Sequence, residues 1–237
     1  MVGELVKCLE RNGLAESTLI IVTSDNGGMF NRGGQDAFKA GHRINGDLLG
    51  FKFGVWEGGQ RVPFVAKWPG KIEPGSVSDQ LISGLDMLAT FAAVTGQEID
   101  EDQMADSINV LPALTGDPEA AVRESLVLVP RQANHVSIRK GKWMYIPKRG
   151  AGGFNGKPGT HGAGGPACVS HVGSENSDIE NGKIKKDAPP AQLYDLEADV
   201  SQTKNLYHQY PEVVKEMKAL LAESRPSSSS GKKAKNK

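Results

Sequence analysis

Cysteine is nearly missing from this 237-residue chain: Cys8 and Cys168 stand far apart, in no CxxC or Cys/His spacing. Such placement indicates neither a zinc site nor a disulfide framework, while a single bridge stays open. A charge excess is missing too, because 28 Lys and Arg balance 28 Asp and Glu. No global field therefore recruits nucleic acid or an anionic membrane, and any anion site has to be local. No stretch approaches the roughly 18 consecutive apolar residues of a membrane span. The opening "MVGELVKCLERNG" lacks the apolar h-region of a signal peptide. As written, the sequence is expected to be soluble and to carry no address.

What the chain does have is glycine, 29 residues of it. Much falls in two loops, Gly27 to Gly59 and Gly150 to Gly165, where backbone without side chains can turn or approach a ligand. Before the first loop, Val2, Leu5, Val6 and Leu9 recur at helical spacing, and Asn12-Gly13 supplies a stop. "STLIIVTS" then reads as a short, fully buried strand of the parallel-sheet type. From Asn26 to Phe53 periodicity is weak, and a connection of that length is either functional or disordered. "RVPFVAKWPG" returns to strand character, and Pro69-Gly70 ends it. A helix follows with Leu85, Leu88, Ala89 and Ala92 on one face and Gly96 at its end.

After the linker-like "TGDPEAAV" come "ESLVLVP", "HVSIRKGKWMYIP" and "AQLYDLE", short strands with turns between them, as in a small antiparallel sheet. The stretch Gly150 to Pro190 reads as a long surface insertion with little structure of its own, "YPEVVKEMKALLAES" as an amphipathic closing helix, and "RPSSSSGKKAKNK" as a disordered tail. The expected architecture is α/β: a partial, mostly parallel sheet with flanking helices over 1–116, a smaller α+β domain over 117–225, and the tail from 226.

The strand "LIIVT" runs straight into Ser24-Asp25-Asn26-Gly27-Gly28. A carboxylate and an amide at the carboxyl end of a strand sit where open α/β sheets place their ligands. Asp25 and Asn26 offer hard oxygens suited to Ca²⁺ or Mg²⁺; the alternative is an Asp-Asn-Gly turn that holds no ion. Downstream, Lys52 precedes Trp56-Glu57-Gly58-Gly59, with Arg61 and Pro63 leading into the next strand. Lys52 could bind an anion or be a solvated loop lysine. Glu57 and Arg61 read as scaffolding, Trp56 and Trp68 as core. His42, in "AGHRING", could donate a proton to a leaving oxygen if it borders the site, or be an incidental exposed histidine.

Taken in order, T-S-D-N-G-G, G-x-K, W-E-G-G-x-R-V-P and W-P-G resemble the sulfatase family, the arylsulfatase A-like enzymes of the alkaline-phosphatase-like superfamily. The likeness is strong from about Leu14 to Gly70 and looser in "SGLDMLATFAAVTG" and "LYDLEADVSQTKNL". It implies a sulfuric ester hydrolase in which Asp25 and Asn26 ligate one Ca²⁺ or Mg²⁺ and Lys52 holds a sulfate oxygen, acting on a sulfated glycan or aryl sulfate. A phosphomonoester or phosphonate hydrolase of the same superfamily is the second enzyme reading, although Asn26 suits the zinc of two-metal members poorly. Family members are mostly exported, periplasmic or lysosomal.

The family's nucleophile is a formylglycine made from Cys or Ser in a C-x-P-S-R setting, and neither cysteine here has that proline and arginine. Leu49 stands where relatives commonly carry arginine. The family's first Asp-Asp metal pair also has no counterpart in these residues. The sequence is therefore expected to be the carboxyl-terminal portion of a sulfatase, inactive alone. It would either be completed by a separate amino-terminal sulfatase segment or survive as a non-catalytic partner-binding remnant.

Overall fold

The computed structural model describes residues 1–100, 106–116 and 118–224; the expected polar tail from 226 lies outside the described residues. In chain order the elements are α1 (Val2–Arg11), β1 (Ile20–Thr23), α2 (Arg32–Lys39), α3 (Glu57–Gln60), β2 (Phe64–Lys67), α4 (Met87–Thr95), α5 (Leu111–Thr115), β3 (Ser125–Leu128), β4 (Ser137–Lys140), β5 (Trp143–Ile146), α6 (Gly165–His171), β6 (Ile179–Glu180), β7 (Lys183–Ile184), β8 (Gln192–Asp195) and α7 (Pro211–Glu223). They fall into two compact units, each built from two stretches of chain: Met1–Asn26 with Arg61–Leu126, and Gly27–Gln60 with Val127 onward. The α/β class, the antiparallel sheet and the closing helix expected from the sequence are all present.

In the first unit α1 ends at Arg11, where Asn12 and Gly13 cap it as their identities suggest. The expected parallel pairing is corrected, because β1 and β2 run antiparallel, with Ile20 opposite Lys67 and Thr23 opposite Phe64. The reason is the excursion between them. Gly27 N donates to Gly59 O at 3.1 Å, so the loop closes on itself and returns the chain to the end of β1 it left from. Nor is β1 fully buried: none of its residues is, and Val22 and, on β2, Val65 are exposed. One strand neighbour covers only one edge of a strand and neither of its faces.

Helix α4 ends at Gly96, in a left-handed conformation at φ 65°. Its expected apolar face is half right. Ala89 and Ala92 are buried, but Leu85 and Leu88 are exposed. Polar anchors replace the leucines: Thr90 Oγ1 accepts from Val110 N at 3.0 Å, and Ser107 Oγ accepts from Ala89 N at 3.0 Å. Below the helix, Asp86 is fully buried and ion-paired to Arg123, whose Nε donates to Oδ2 at 3.1 Å.

The second unit holds β4, β5 and β8 as antiparallel neighbours, with Ile138 opposite Tyr145 and Tyr145 opposite Leu193. Helix α7 lays Met217 and Leu221 on Ile138, Tyr145 and Leu193 to form its core. All four residues of β8 are buried because its other face is covered as well. There Gln192 Oε1 accepts from Trp56 Nε1 at 2.9 Å and from Tyr194 Oη at 2.8 Å, while Asn176 Nδ2 donates to Tyr194 Oη at 3.0 Å. Burial pushes the Tyr194 hydroxyl far above its usual range, so it stays a protonated donor.

The loop read as either functional or disordered contains α2, whose two glycines disfavour a helix; Asn31 caps it and Phe38 packs edge-on to Phe30 at 6.1 Å. One further expectation is corrected in this unit. The Gly150 to Pro190 stretch is no loose insertion: Ala151, Ala163, Cys168, Val169 and Ala188 are buried, and α6, β6 and β7 lie within it. Small side chains let its backbone pack closely, which composition alone reads as looseness.

Lys142 Nζ pairs with Asp195 Oδ2 at 2.7 Å, and that bond lowers the Asp195 carboxyl from 3.8 and raises the Lys142 ammonium from 10.5. With a depressed acid, the contribution is present above about 3.8 and fades as pH falls through the lower folded value. With a raised lysine, it is present below 10.5 and fades as pH rises through the higher folded value. Asp195→Asn is expected to lower the denaturation midpoint between those limits and to match the parent in strong acid, as read from urea melts across pH. An equal gap at every pH would refute the pairing.

Candidate active site

Asp25 and Asn26 come immediately after β1, in the first unit. Asp25 is exposed and Asn26 half-buried, and Ser24 Oγ donates to Asn26 O at 2.9 Å to tighten the turn. Among the described residues no hydrogen bond or ion pair engages the Asp25 carboxylate. Among them, too, no three His, Cys, Asp or Glu side chains are grouped to hold a metal ion. One carboxylate and one amide oxygen fit Ca²⁺ or Mg²⁺ by type, but such cations take six or more oxygens, so the donor set falls short in number.

Lys52 and His42 belong to the second unit. Lys52 N donates to Gly28 O at 2.9 Å, which ties the lysine loop to the turn two residues beyond Asn26. Gly58 N donates to Leu49 O at 2.7 Å and Gly27 N to Gly59 O at 3.1 Å, so the Gly27–Gly28 segment, the 49–54 loop and α3 are stitched to one another. The half-buried Lys52 carries its Nζ 5.3 Å from the centre of the Phe53 ring. That sets an ammonium group over an aromatic face.

His42 stands exposed just past α2, its amide donating to Ala37 O at 2.9 Å, and no hydrogen bond links it to Lys52. Its neighbour Arg43 pairs with Asp47 at 3.5 Å. Trp56 is buried with its indole satisfied. Glu57 is buried at the start of α3, and its amide donates to the side chain of the buried Gln202 at 2.8 Å. Leu49 is fully buried, which gives an apolar residue at that position a packing role.

Sequence reading missed Gln192, Gln202, Arg131 and Phe154. The glutamines act through buried bonds made across more than a hundred residues of sequence, for which no local pattern exists. Gln202 also adopts φ 54°, a left-handed conformation uncommon outside glycine, asparagine and aspartate.

A family model described as Sulfatase matches residues 1–97. An N-acetylgalactosamine-6-O-sulfatase of Bacteroides thetaiotaomicron is 34% identical over 223 residues, covering 93% of this chain. This chain belongs to the sulfatase family. It spans 39% of the length of that sulfatase and 30% of a rat steryl-sulfatase, which is 31% identical over 179 residues and 72% of this chain. Among solved structures, one from work on glycosaminoglycan metabolism by Bacteroides thetaiotaomicron superposes with a TM-score of 0.72 at 30% identity, covering 94% of this chain and 42% of its own. The sulfatase match takes in Asp25, Asn26, His42 and Lys52 together.

Proposed function

We propose that this chain supplies part of a sulfuric ester hydrolase site, with Asp25 and Asn26 as two oxygen ligands of a Ca²⁺ or Mg²⁺ ion, Lys52 as the cation on the substrate's sulfate, and His42 as a candidate proton donor. The observation that carries the reading is the Lys52 N to Gly28 O bond at 2.9 Å, made within the second unit, which holds the lysine loop to the glycine segment that follows Asn26 in the chain. The ion, when bound, neutralises charge on the sulfate oxygens. Lys52 adds a point charge 5.3 Å from the centre of the Phe53 ring, on a backbone anchored by its amide to the Gly28 carbonyl, to meet negative charge as it develops. His42 would protonate a leaving oxygen from its place at the end of α2.

The relatives named for N-acetylgalactosamine 6-sulfate chemistry and for glycosaminoglycan metabolism support a sulfated sugar as substrate in preference to a phosphate ester. With no C-x-P-S-R in these residues and two ligands of six, the chain alone is inactive in this reading. Exposed Val2, Leu5, Val22, Val65, Leu88 and Phe91 would be covered when the rest of the fold is supplied.

Two measurements test it. The isolated chain is expected to leave a chromogenic aryl sulfate intact and to bind Ca²⁺ only at about millimolar concentration; robust turnover would overturn the reading. Once the chain is complemented with an amino-terminal sulfatase segment that carries the nucleophile, Lys52→Ala is expected to lower kcat by about 10². An unchanged rate would remove Lys52 from the mechanism.

A further inference from the structure

From Lys52 and Phe53 the second unit extends an array to Phe154 and Arg131, two residues that no part of the proposed reaction uses. Phe53 and Phe154 meet edge to face with ring centres 4.7 Å apart, and the Arg131 guanidinium lies 5.0 Å from the centre of the Phe154 ring. Lys52 Nζ lies 5.3 Å from the Phe53 ring, so the array runs from one cation across two rings to a second cation. The backbone fixes the same order. Arg131 N donates to Phe53 O at 2.9 Å, Gln132 N to Gly152 O at 2.9 Å, and Gln132 Nε2 to Gly153 O at 3.2 Å.

Gly153 has to be glycine for this arrangement, since a Cβ there would sit 2.9 Å from Gly54 N and 3.0 Å from the Phe53 carbonyl carbon. Phe53 is held at φ 76°, a conformation that bulky residues adopt only when their surroundings impose it. Both rings are half-buried and Arg131 is exposed. Among the described residues neither Lys52 nor Arg131 has a carboxylate partner. Two cations without a carboxylate partner, separated by two aromatic rings, suit a ligand that carries two anions on a spacer with an apolar face, such as the C–H face of a sugar ring.

We infer that Arg131 is a second anion-binding residue of the Lys52 site, with Phe53 and Phe154 positioning it, and that the site takes a sugar carrying another anionic group besides the sulfate on Lys52. The inference rests on the Lys52 assignment above. Guanidinium is suited to the outer position, because its planar donors can grip a sulfate or carboxylate in two places while its face rests on Phe154. A second sulfate and a uronate carboxylate present the same chemistry to it.

Calorimetric binding to the full chain tests this without turnover, using glycosaminoglycan disaccharides that are disulfated, monosulfated with a uronate, or monosulfated with the carboxylate reduced. The two-anion probes are expected to bind about tenfold more tightly than the one-anion probe, the worth of one charge-assisted contact. Arg131→Ala is expected to erase that preference, and Arg131→Lys to restore part of it. Loss with only one two-anion probe identifies whether sulfate or carboxylate is read. A preference unchanged in Arg131→Ala, or a uniform loss for all three probes, would overturn the inference. Failure of the Lys52 assignment looks different: Lys52→Ala would then leave the one-anion probe's affinity intact.

Discussion

Replacing Gly27 with alanine is expected to cost about 3–5 kcal/mol of stability, at the upper end of single-residue effects. The added Cβ would overlap the Gly58 carbonyl oxygen and lie 2.7 Å from the carbonyl carbon and 3.0 Å from Gly59 Cα. All of these are backbone atoms, and none can rotate away as a side chain could. Relief would require α3 to shift. Gly58 N is bonded to Leu49 O at 2.7 Å and the Glu57 amide to buried Gln202, so a shift breaks bonds on both sides. Urea denaturation measures the loss. Gly33→Ala is the internal control: its Cβ would meet only Asn31 Oδ1, at 3.7 Å, and in a helix it is expected to stabilise by about 0.5–1 kcal/mol. Equal midpoints for the two variants would show that the Gly27 to α3 approach is looser than described.

Arg123→Ala is expected to destabilise the first unit by about 3–5 kcal/mol, because it strands a buried carboxylate. Asp86 is fully buried and the Arg123 side chain 9% exposed, so water cannot replace the guanidinium. The carboxylate would keep only two amide donors, Ser83 N at 2.7 Å and Ile108 N at 3.0 Å. Arg123 Nη2 also donates to Asp106 O at 2.9 Å, and that carbonyl would lose its partner as well. Removing the charge from both ends should cost less than the two single changes added together, since Asp86→Asn with Arg123→Ala leaves no isolated ion. A coupling of about 1–3 kcal/mol in the four-protein cycle is the expected result. Strict additivity would mean that the pair does not act as a buried unit.

Several features of the fold could be read from local chemistry. Asn12-Gly13, Pro69-Gly70 and Gly96 ended their elements as expected, because termination depends on a few adjacent residues. The antiparallel strands β4 and β5 followed from short apolar runs with a turn between them, and the closing α7 from helical spacing. Helix α2 and the folded 150–190 stretch could not be read. Gln35, buried at 8% exposure, donates to Phe30 O at 3.2 Å and to Thr160 O at 3.3 Å, and the second of these partners is 125 residues away. Propensity and glycine content describe the isolated segment, whereas these segments are held by distant partners.

The candidate site divides in the same way. The order of Asp25-Asn26, Lys52 and the Trp56 to Gly59 run was enough to point to the sulfatase family, because a motif is carried by residue identity and spacing. Sequence alone likewise set the hard-oxygen character of the Asp25 and Asn26 pair and the presence of a lysine at position 52. The tertiary structure decided that the glycine loop from Gly27 to Gln60 folds with the carboxyl-terminal half of the chain. It also set Arg131 and Phe154 beside Phe53, across gaps of 78 and 101 residues that no periodicity spans (131 − 53 and 154 − 53). Side-chain chemistry is a property of single residues; proximity arises only when burial and backbone hydrogen bonds bring remote segments together.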